Sequence, residues 1–195
     1  MTTGRLAGEH FAAETDSDVV IEPLPRNGLE RFREIDRSEE VTTHYVQVGR
    51  RLLAKPVEDL VPNFSLEGDH HSIPELVETW QPVVDAGGRL LGAFEDGRLA
   101  GIALLGGEVA AAIRHVALLY VSRLHRRRGI ATALMNWMEQ VARNEGARAL
   151  YVSSTPTESA VGFYLSRGFQ PTKPLAEPFR MEPDDIHMLL PLTDD

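Results

Sequence analysis

Cysteine is absent from the 195 residues, which removes disulfides, thiolate nucleophiles and cysteine-ligated zinc or iron–sulfur centres. Such a chain suits a reducing compartment, so a cytoplasmic location is expected. Long apolar runs are missing too. No stretch approaches the roughly 18 apolar residues of a membrane span, and the opening MTTGRLAGEHFAAETDSD has no apolar centre of the kind a signal peptide carries. No membrane association is expected. Basic residues are in the minority, 20 against 29 acidic, for a net charge of −9. An acidic surface repels nucleic acid, so no nucleic-acid partner is expected, and an anionic ligand would need a local basic device.

What remains is ordinary for a folded domain. Hydrophobic residues make up 43% and charged residues 25%, enough apolar material for a core, and the length suits one domain. Residues 1–18 are small and polar without periodicity and read as a disordered tail. Residues 19–195 read as a single domain.

Val19 to Leu24 reads as a first strand, and Leu29 to Glu40, with Leu29, Phe32 and Ile35 spaced by three, as a short amphipathic helix. Thr42 to Leu53 reads as a hairpin around Gly49, and Pro56 to His71 as irregular. Ser72 followed by Pro74 and Glu75 marks a helix start, which Gly87-Gly88 ends. Leu90 to Phe94, the turn Glu95-Asp96-Gly97-Arg98, and Leu99 to Leu105 form a strong hairpin signal. Arg114 to Val121 is a further strand. Gly129 to Glu145 carries Ile130, Leu134, Met138 and Val141 on one stripe, with Gly146 in place to cap it, and reads as a helix. Ala149 to Ser153 is a strand. Thr155-Pro156-Thr157-Glu158 reads as a capping box with proline at the first helical position, opening a helix that ends at Gly168. Ile186 to Leu190 is a last strand. From Leu90 the order is β-β-β-α-β-α-β.

The chemistry concentrates at Val121-Ser122-Arg123-Leu124-His125-Arg126-Arg127-Arg128-Gly129-Ile130-Ala131-Thr132, where a buried strand enters a basic loop that becomes a long helix. The first turn of a helix presents unpaired N–H groups at the positive end of its dipole. Gly129 and Ala131 keep side chains clear, so a phosphate can approach the backbone. Arginines add charge-assisted bonds. Together these features make a pyrophosphate cradle in an otherwise acidic chain.

The segment Arg126-Arg127-Arg128-Gly129-Ile130-Ala131 resembles the acyl-CoA signature of the GNAT superfamily of N-acetyltransferases, Arg/Gln-x-x-Gly-x-Gly/Ala. Ala160-Val161-Gly162-Phe163-Tyr164-Leu165-Ser166-Arg167-Gly168-Phe169 is similar to a second segment of that family, Ala-x-x-Phe-Tyr-x-x-x-Gly-Phe. The likeness spans roughly Leu90 to Leu192 and is looser before Leu90. It implies an α+β fold with a central, mostly antiparallel sheet that splays where Arg114–Val121 and Ala149–Ser153 run parallel, with helices on both faces. It also implies a cofactor-binding set of Val121, Arg126, Arg127, Arg128, Gly129, Ile130, Ala131 and Thr132, with Val121 pairing its backbone to the pantetheine arm. Two departures stand out: Arg127 replaces a common glycine, and Thr157 occupies the place of a frequent asparagine.

The activity implied is transfer of an acetyl group from acetyl-CoA to a primary amine by direct attack in a ternary complex, without a metal. Tyr164 is then the leading general acid for the departing thiolate. His115, eleven residues before Arg126, is a candidate base by its spacing and by the intrinsic basicity of imidazole. Glu95 and Glu108 acting through water, or a water chain alone, are the alternatives. Small amines, amino acids and protein amines all stay open as acceptors, and a homodimer is compatible with similar proteins. Two rival readings are a non-catalytic acyl-CoA-binding sensor and a nucleic-acid-binding domain using Arg123 to Arg128. The net charge and the lack of a second basic patch count against the latter. Asp69-His70-His71 lacks a third ligand at metal-site spacing.

Overall fold

The computed structural model describes residues 11–12, 19–68, 71–175 and 184–192. In chain order the strands are β1 (Phe11–Ala12), β2 (Val19–Pro23), β3 (Glu39–Val48), β4 (Arg51–Val61), β5 (Arg89–Glu95), β6 (Arg98–Ala110), β7 (Ile113–Val121), β8 (Ala149–Ser154), β9 (Gln170–Pro171) and β10 (Ile186–Pro191). The helices are α1 (Ile73–Asp85), α2 (Ile130–Asn144) and α3 (Glu158–Ser166). The expected tail at 1–18 lies outside the described residues except for β1, whose backbone pairs with Ile21 and Val20.

Eight strands form one sheet in the order β1-β2-β5-β6-β7-β8-β10-β9, and β3 with β4 forms a separate two-stranded sheet. The β5–β6 turn follows from Asp96 and Gly97, which take φ of 49° and 74°, the paired positive angles that a tight hairpin turn demands and that Asp-Gly supplies. Every neighbouring pair in the large sheet is antiparallel except β7 and β8. Those two run parallel because α2 intervenes as the crossover.

Helices cover both faces. On one, Ile130, Leu134, Met135 and Met138 of α2 pack with Ala103, Leu105, Leu150 and Val152, and with Val161 and Tyr164 of α3. On the other, α1 and the 3-10 segment Gly28–Glu34 bring Leu29, Phe32, Ile73 and Leu76 against Leu90, Ile102, Leu104 and Leu118. Gly101 lets α2 sit close: a Cβ there would stand 2.9 Å from Ile130 Cγ2. The expected α+β architecture, sheet splay and two helical faces are all present.

Three local expectations change. The helix expected over Leu29 to Glu40 is the 3-10 segment Gly28–Glu34, and the chain is extended by Ile35. Local polar bonds take over there: the Ser38 N–H donates to Asp36 Oδ1 at 2.9 Å and the Arg37 N–H to Asn63 Oδ1 at 3.1 Å, drawing the backbone out of helical bonding. The segment expected to be irregular from Pro56 continues as β4 to Val61. Proline is tolerated because this hairpin has an outer edge and a register shift between Val41 and Thr43, next to the Thr43–Pro56 pair. The capping box shifts by two residues. Thr157 is the cap of α3, accepting from the Ala160 N–H at 3.4 Å, and Pro156 lies before the helix, its carbonyl engaged by the Tyr45 N–H at 2.8 Å.

Candidate active site

The parallel ladder between β7 and β8 covers only Ile113, Arg114 and His115 against Ala149, Leu150 and Tyr151. Beyond it the strands part. The Ser122 N–H donates to Ala100 O at 2.9 Å, which makes Val121–Gly101 and Leu119–Ala103 the pairs that do not bond each other across β6 and β7. The amides of Leu119 and Val121 therefore turn away from β6, into the space that β8 vacates. An extra residue on β7, Ala117, lies between the Val116–Leu105 and Leu118–Leu104 pairs. Such bulges re-aim groups beside binding sites, and this one sits just past the last parallel pair.

The gap opens onto the expected cradle. Arg127 and Gly129 both adopt left-handed φ, 61° and 81°, and fold the loop back so that α2 begins at Ile130. No side chain caps the start of α2, and its first turn holds no acidic residue. The N–H groups of Ile130, Ala131 and Thr132 are left for a ligand. The Ile130 side chain is buried in the core, so only its backbone faces the loop. These features suit a diphosphate.

The arginines divide the work in a way the sequence did not reveal. Arg126 braces the loop: its Nε donates to Val121 O at 3.1 Å and its Nη2 to Arg37 O at 2.9 Å, with Glu39 3.7 Å away. Arg128 pairs with Glu95 at 2.5 Å, and His125 Nδ1 lies 2.7 Å from the same carboxylate. Glu95, 9% exposed, thus ties the cradle loop to the end of β5. Arg127 is exposed, and no bond to a described residue holds its side chain. It is the arginine free to meet an anion. Glu108 pairs in register with Arg114 at the far end of β6, away from the gap.

Tyr164 on α3 is 6% exposed, with Phe163 and Phe169 edge-on to its ring at 5.3 and 5.2 Å. Its hydroxyl makes no hydrogen bond to any described residue. Burial, reinforced by the neighbouring Tyr120 hydroxyl, raises its pKa far above the usual phenol value. It stays protonated at any working pH. Tyr120 precedes Val121 on β7, its ring edge-on to Phe32 and Phe64 at 5.6 and 5.3 Å. Burial raises its pKa as well, against the pull of Arg37 beside it.

His115 is 5% exposed, with the rings of Trp80 and Tyr151 each 5.9 Å from its own. Burial lowers its pKa to about 4. Tyr151, pushed up to about 12 by burial, is bonded through its hydroxyl to His187 Nδ1 at 2.7 Å. The row Trp80–His115–Tyr151–His187 lines the α1 face of the sheet at the root of the gap.

The β3–β4 hairpin completes the surroundings. Residue His44 forms a bridge to Thr157, and Gln47 accepts from the His187 N–H at 2.8 Å while donating to Thr172 O at 2.6 Å. The hairpin thereby lies across the start of α3 and the start of β10. Sequence reading missed its part in the site, together with Arg37 and Tyr120. Tyr120 sits in a run that reads as uniformly apolar, and Arg37 in one that reads as helix surface. Among the described residues no cluster of histidine and carboxylate side chains has the makings of a metal site. Asp69 and His70 lie outside them. No helix among the described residues is long and apolar enough to cross a membrane.

Residues 53–169 match the model of the acetyltransferase (GNAT) family, more than half of the chain. No curated protein matches. Among solved structures, nourseothricin acetyltransferase superposes with a TM-score of 0.64 at 19% identity, covering 90% of this chain and 99% of that one. A streptothricin acetyltransferase candidate from Bacillus anthracis str. Ames, in complex with acetyl coenzyme A, gives 0.66 at 16% identity over 91% and 99%. The PaiA N-acetyltransferase from Thermoplasma acidophilum, in complex with coenzyme A, gives 0.58 at 16% over 89% and 98%. At these identities the likeness is one of fold.

Proposed function

Because the chain belongs to the GNAT acetyltransferase family, we propose that it transfers an acetyl group from acetyl-CoA to a primary amine by direct attack in a ternary complex. Acetyl-CoA supplies an activated thioester that an amine can attack, releasing a thiolate. The first-turn amides of α2, from Ile130 to Thr132, with Gly129 and the free side chain of Arg127, hold the diphosphate. Arg126 and Arg128 act by fixing the loop from within. The pantetheine arm takes the place of β8 and pairs with the outward-facing amides of Leu119 and Val121.

One observation carries the chemical assignment: a buried phenol, Tyr164, whose hydroxyl has no hydrogen-bond partner among the described residues. Buried polar groups are normally satisfied, and a hydroxyl left over in a core points to a partner that arrives with the substrate. A departing thiolate is such a partner. With the phenol pKa raised well above the roughly 8.5 of a thiol, full proton transfer is uphill. Tyr164 therefore stabilises the developing charge chiefly as a hydrogen-bond donor.

His115 is not assigned as the base. An imidazole with a pKa of about 4 is a far weaker base than an alkylamine and accepts its proton only at a steep cost. A water chain toward the acceptor side serves that role, with His115 and Tyr151 forming the wall. The test is release of free thiol from acetyl-CoA with a broad panel of amines, alongside a thermal shift by CoA. Turnover with at least one amine is expected. CoA binding without turnover on any of them would leave the sensor reading standing instead.

A further inference from the structure

We propose that the acceptor amine also carries a carboxylate, and that the guanidinium of Arg37, with Tyr120 beside it, holds that carboxylate. This rests on the transferase reading above and specifies the class of acceptor.

Arg37 is 7% exposed, and the structure positions it from several sides. Its N–H donates to Asn63 Oδ1 at 3.1 Å, its Nε to Pro62 O at 2.9 Å, and its guanidinium carbon lies 4.7 Å from the centre of the Phe64 ring. Its carbonyl receives the Arg126 brace at 2.9 Å. What it lacks is a counter-charge. No carboxylate among the described residues comes within ion-pair distance, although acidic residues outnumber basic ones in this chain. The other arginine buried as deeply, Arg114, does have one: it pairs with Glu145. A buried cation without an anion is costly, and one carbonyl, the neutral Tyr120 hydroxyl and a ring face offset only part of that cost.

The place of Arg37 says what the missing anion belongs to. Its guanidinium stands beside the Tyr120 hydroxyl, and Tyr120 in turn neighbours Tyr164. Phe64, over which Arg37 lies, packs edge-on to Tyr120 at 5.3 Å, and Tyr120 adjoins Val121 at the gap where acyl transfer is assigned. A planar fork of N–H donors matches a carboxylate in bidentate fashion. One guanidinium neutralises one carboxylate. A doubly charged phosphate would leave excess charge among Phe32, Phe64 and Tyr120, where burying charge is unfavourable. An amine attacking the thioester beside Tyr164 and a carboxylate held at Arg37 describe an amino acid.

The test uses the full chain, acetyl-CoA and matched pairs of amino acids and their carboxamides, read by free-thiol release. The carboxamide has the more readily deprotonated amine, so amine basicity alone would favour it. We expect the wild-type protein to prefer the acids in kcat/KM by about 30-fold, the scale of a lost hydrogen-bonded charge contact. Arg37→Met should remove most of that preference by raising KM for the acids, leaving the carboxamides within about threefold of wild type. Arg37→Lys should retain part of it. If Arg37→Met does not fold, as judged by loss of the thermal shift with CoA, the wild-type preference alone decides. Equal use of acids and carboxamides by the wild-type protein overturns the inference. So does an Arg37→Met variant that loses both classes in parallel. If no pair releases thiol while another amine of the broad panel does, the inference is overturned; if no amine of that panel does, the transferase reading itself fails. Calorimetric titration of the same pairs into CoA-loaded protein then judges the carboxylate site: acids binding at least tenfold tighter support it, and equal or absent binding refutes it.

Discussion

Replacing Tyr164 by phenylalanine separates the two things this residue does, because its ring and its hydroxyl have different surroundings. The ring is packed against Phe163 and Phe169 at 5.3 and 5.2 Å, and phenylalanine preserves those contacts. The hydroxyl bonds to no described residue, so its removal breaks nothing in the fold. Stability should change by less than about 0.5 kcal/mol, which for a chain of this size is a Tm shift of no more than about 2 °C. Turnover responds differently. A hydrogen bond to a charged acceptor is worth about 1.5–3 kcal/mol, and at about 1.4 kcal/mol per tenfold kcat should fall by one to two orders of magnitude. Affinity for CoA should stay within about threefold, since the diphosphate amides are untouched. Single-turnover thiol release, thermal unfolding and CoA titration on the same preparation give all three quantities. A kcat within twofold of wild type would refute the assignment of Tyr164 to the leaving group. A Tm loss of several degrees would show that the hydroxyl has a structural partner after all.

Further outcomes follow from the same geometry. Gly129→Ala places a side chain at φ 81°, costs about 1–2 kcal/mol in backbone strain, and should weaken CoA binding at least tenfold in calorimetry. Glu95→Gln releases the ion pair to Arg128 and the contact with His125. It should raise the Kd for CoA severalfold while leaving the acceptor KM unchanged in steady-state kinetics. His115 has a folded pKa of about 4, against 6.5 for an unperturbed imidazole, so the unfolded chain binds its proton first as pH falls. Its contribution is complete above about pH 6.5 and is lost progressively toward pH 4, amounting to about 3 kcal/mol. His115→Phe should make unfolding less acid-sensitive across that window than in wild type. A kcat loss beyond tenfold in that variant would restore His115 to the chemistry.

The part of the chain after Leu90 was legible because strong local signals agree there. Asp96-Gly97 admits one turn, the stripe on α2 has one buried face, and the segment from Arg126 to Thr132 joins a strand to a helix. Before Leu90 local preference and tertiary context disagree. Leu29, Phe32 and Ile35 have helical spacing and are all buried, yet the chain leaves helical geometry at Ile35 because Asp36 and Asn63 offer the backbone other partners. Proline at position 56 argued against a strand, and only the separate hairpin accommodates it. The site shows the same division. Backbone features such as the α2 start were readable from residue types. Roles that depend on distant partners were not. Glu95 as a clamp needs His125 and Arg128 beside it, and Arg37 as a buried cation needs Phe64 and Tyr120, none of them near in sequence.

The seam between β7 and β8 is three residues deep, and the sheet on its two sides is held together mainly by α2, whose Ile130, Leu134 and Met138 rest in the core between strands from both sides. The same helix begins at the diphosphate amides. A load on its first turn is thus transmitted to the joint it spans, and a pantetheine chain lying along Leu119 and Val121 closes that joint as a strand would. Deuterium uptake should register this coupling: the amides of Leu119 and Val121 exchange freely in the protein alone and slow together with those of Ile130 to Thr132 once CoA is added.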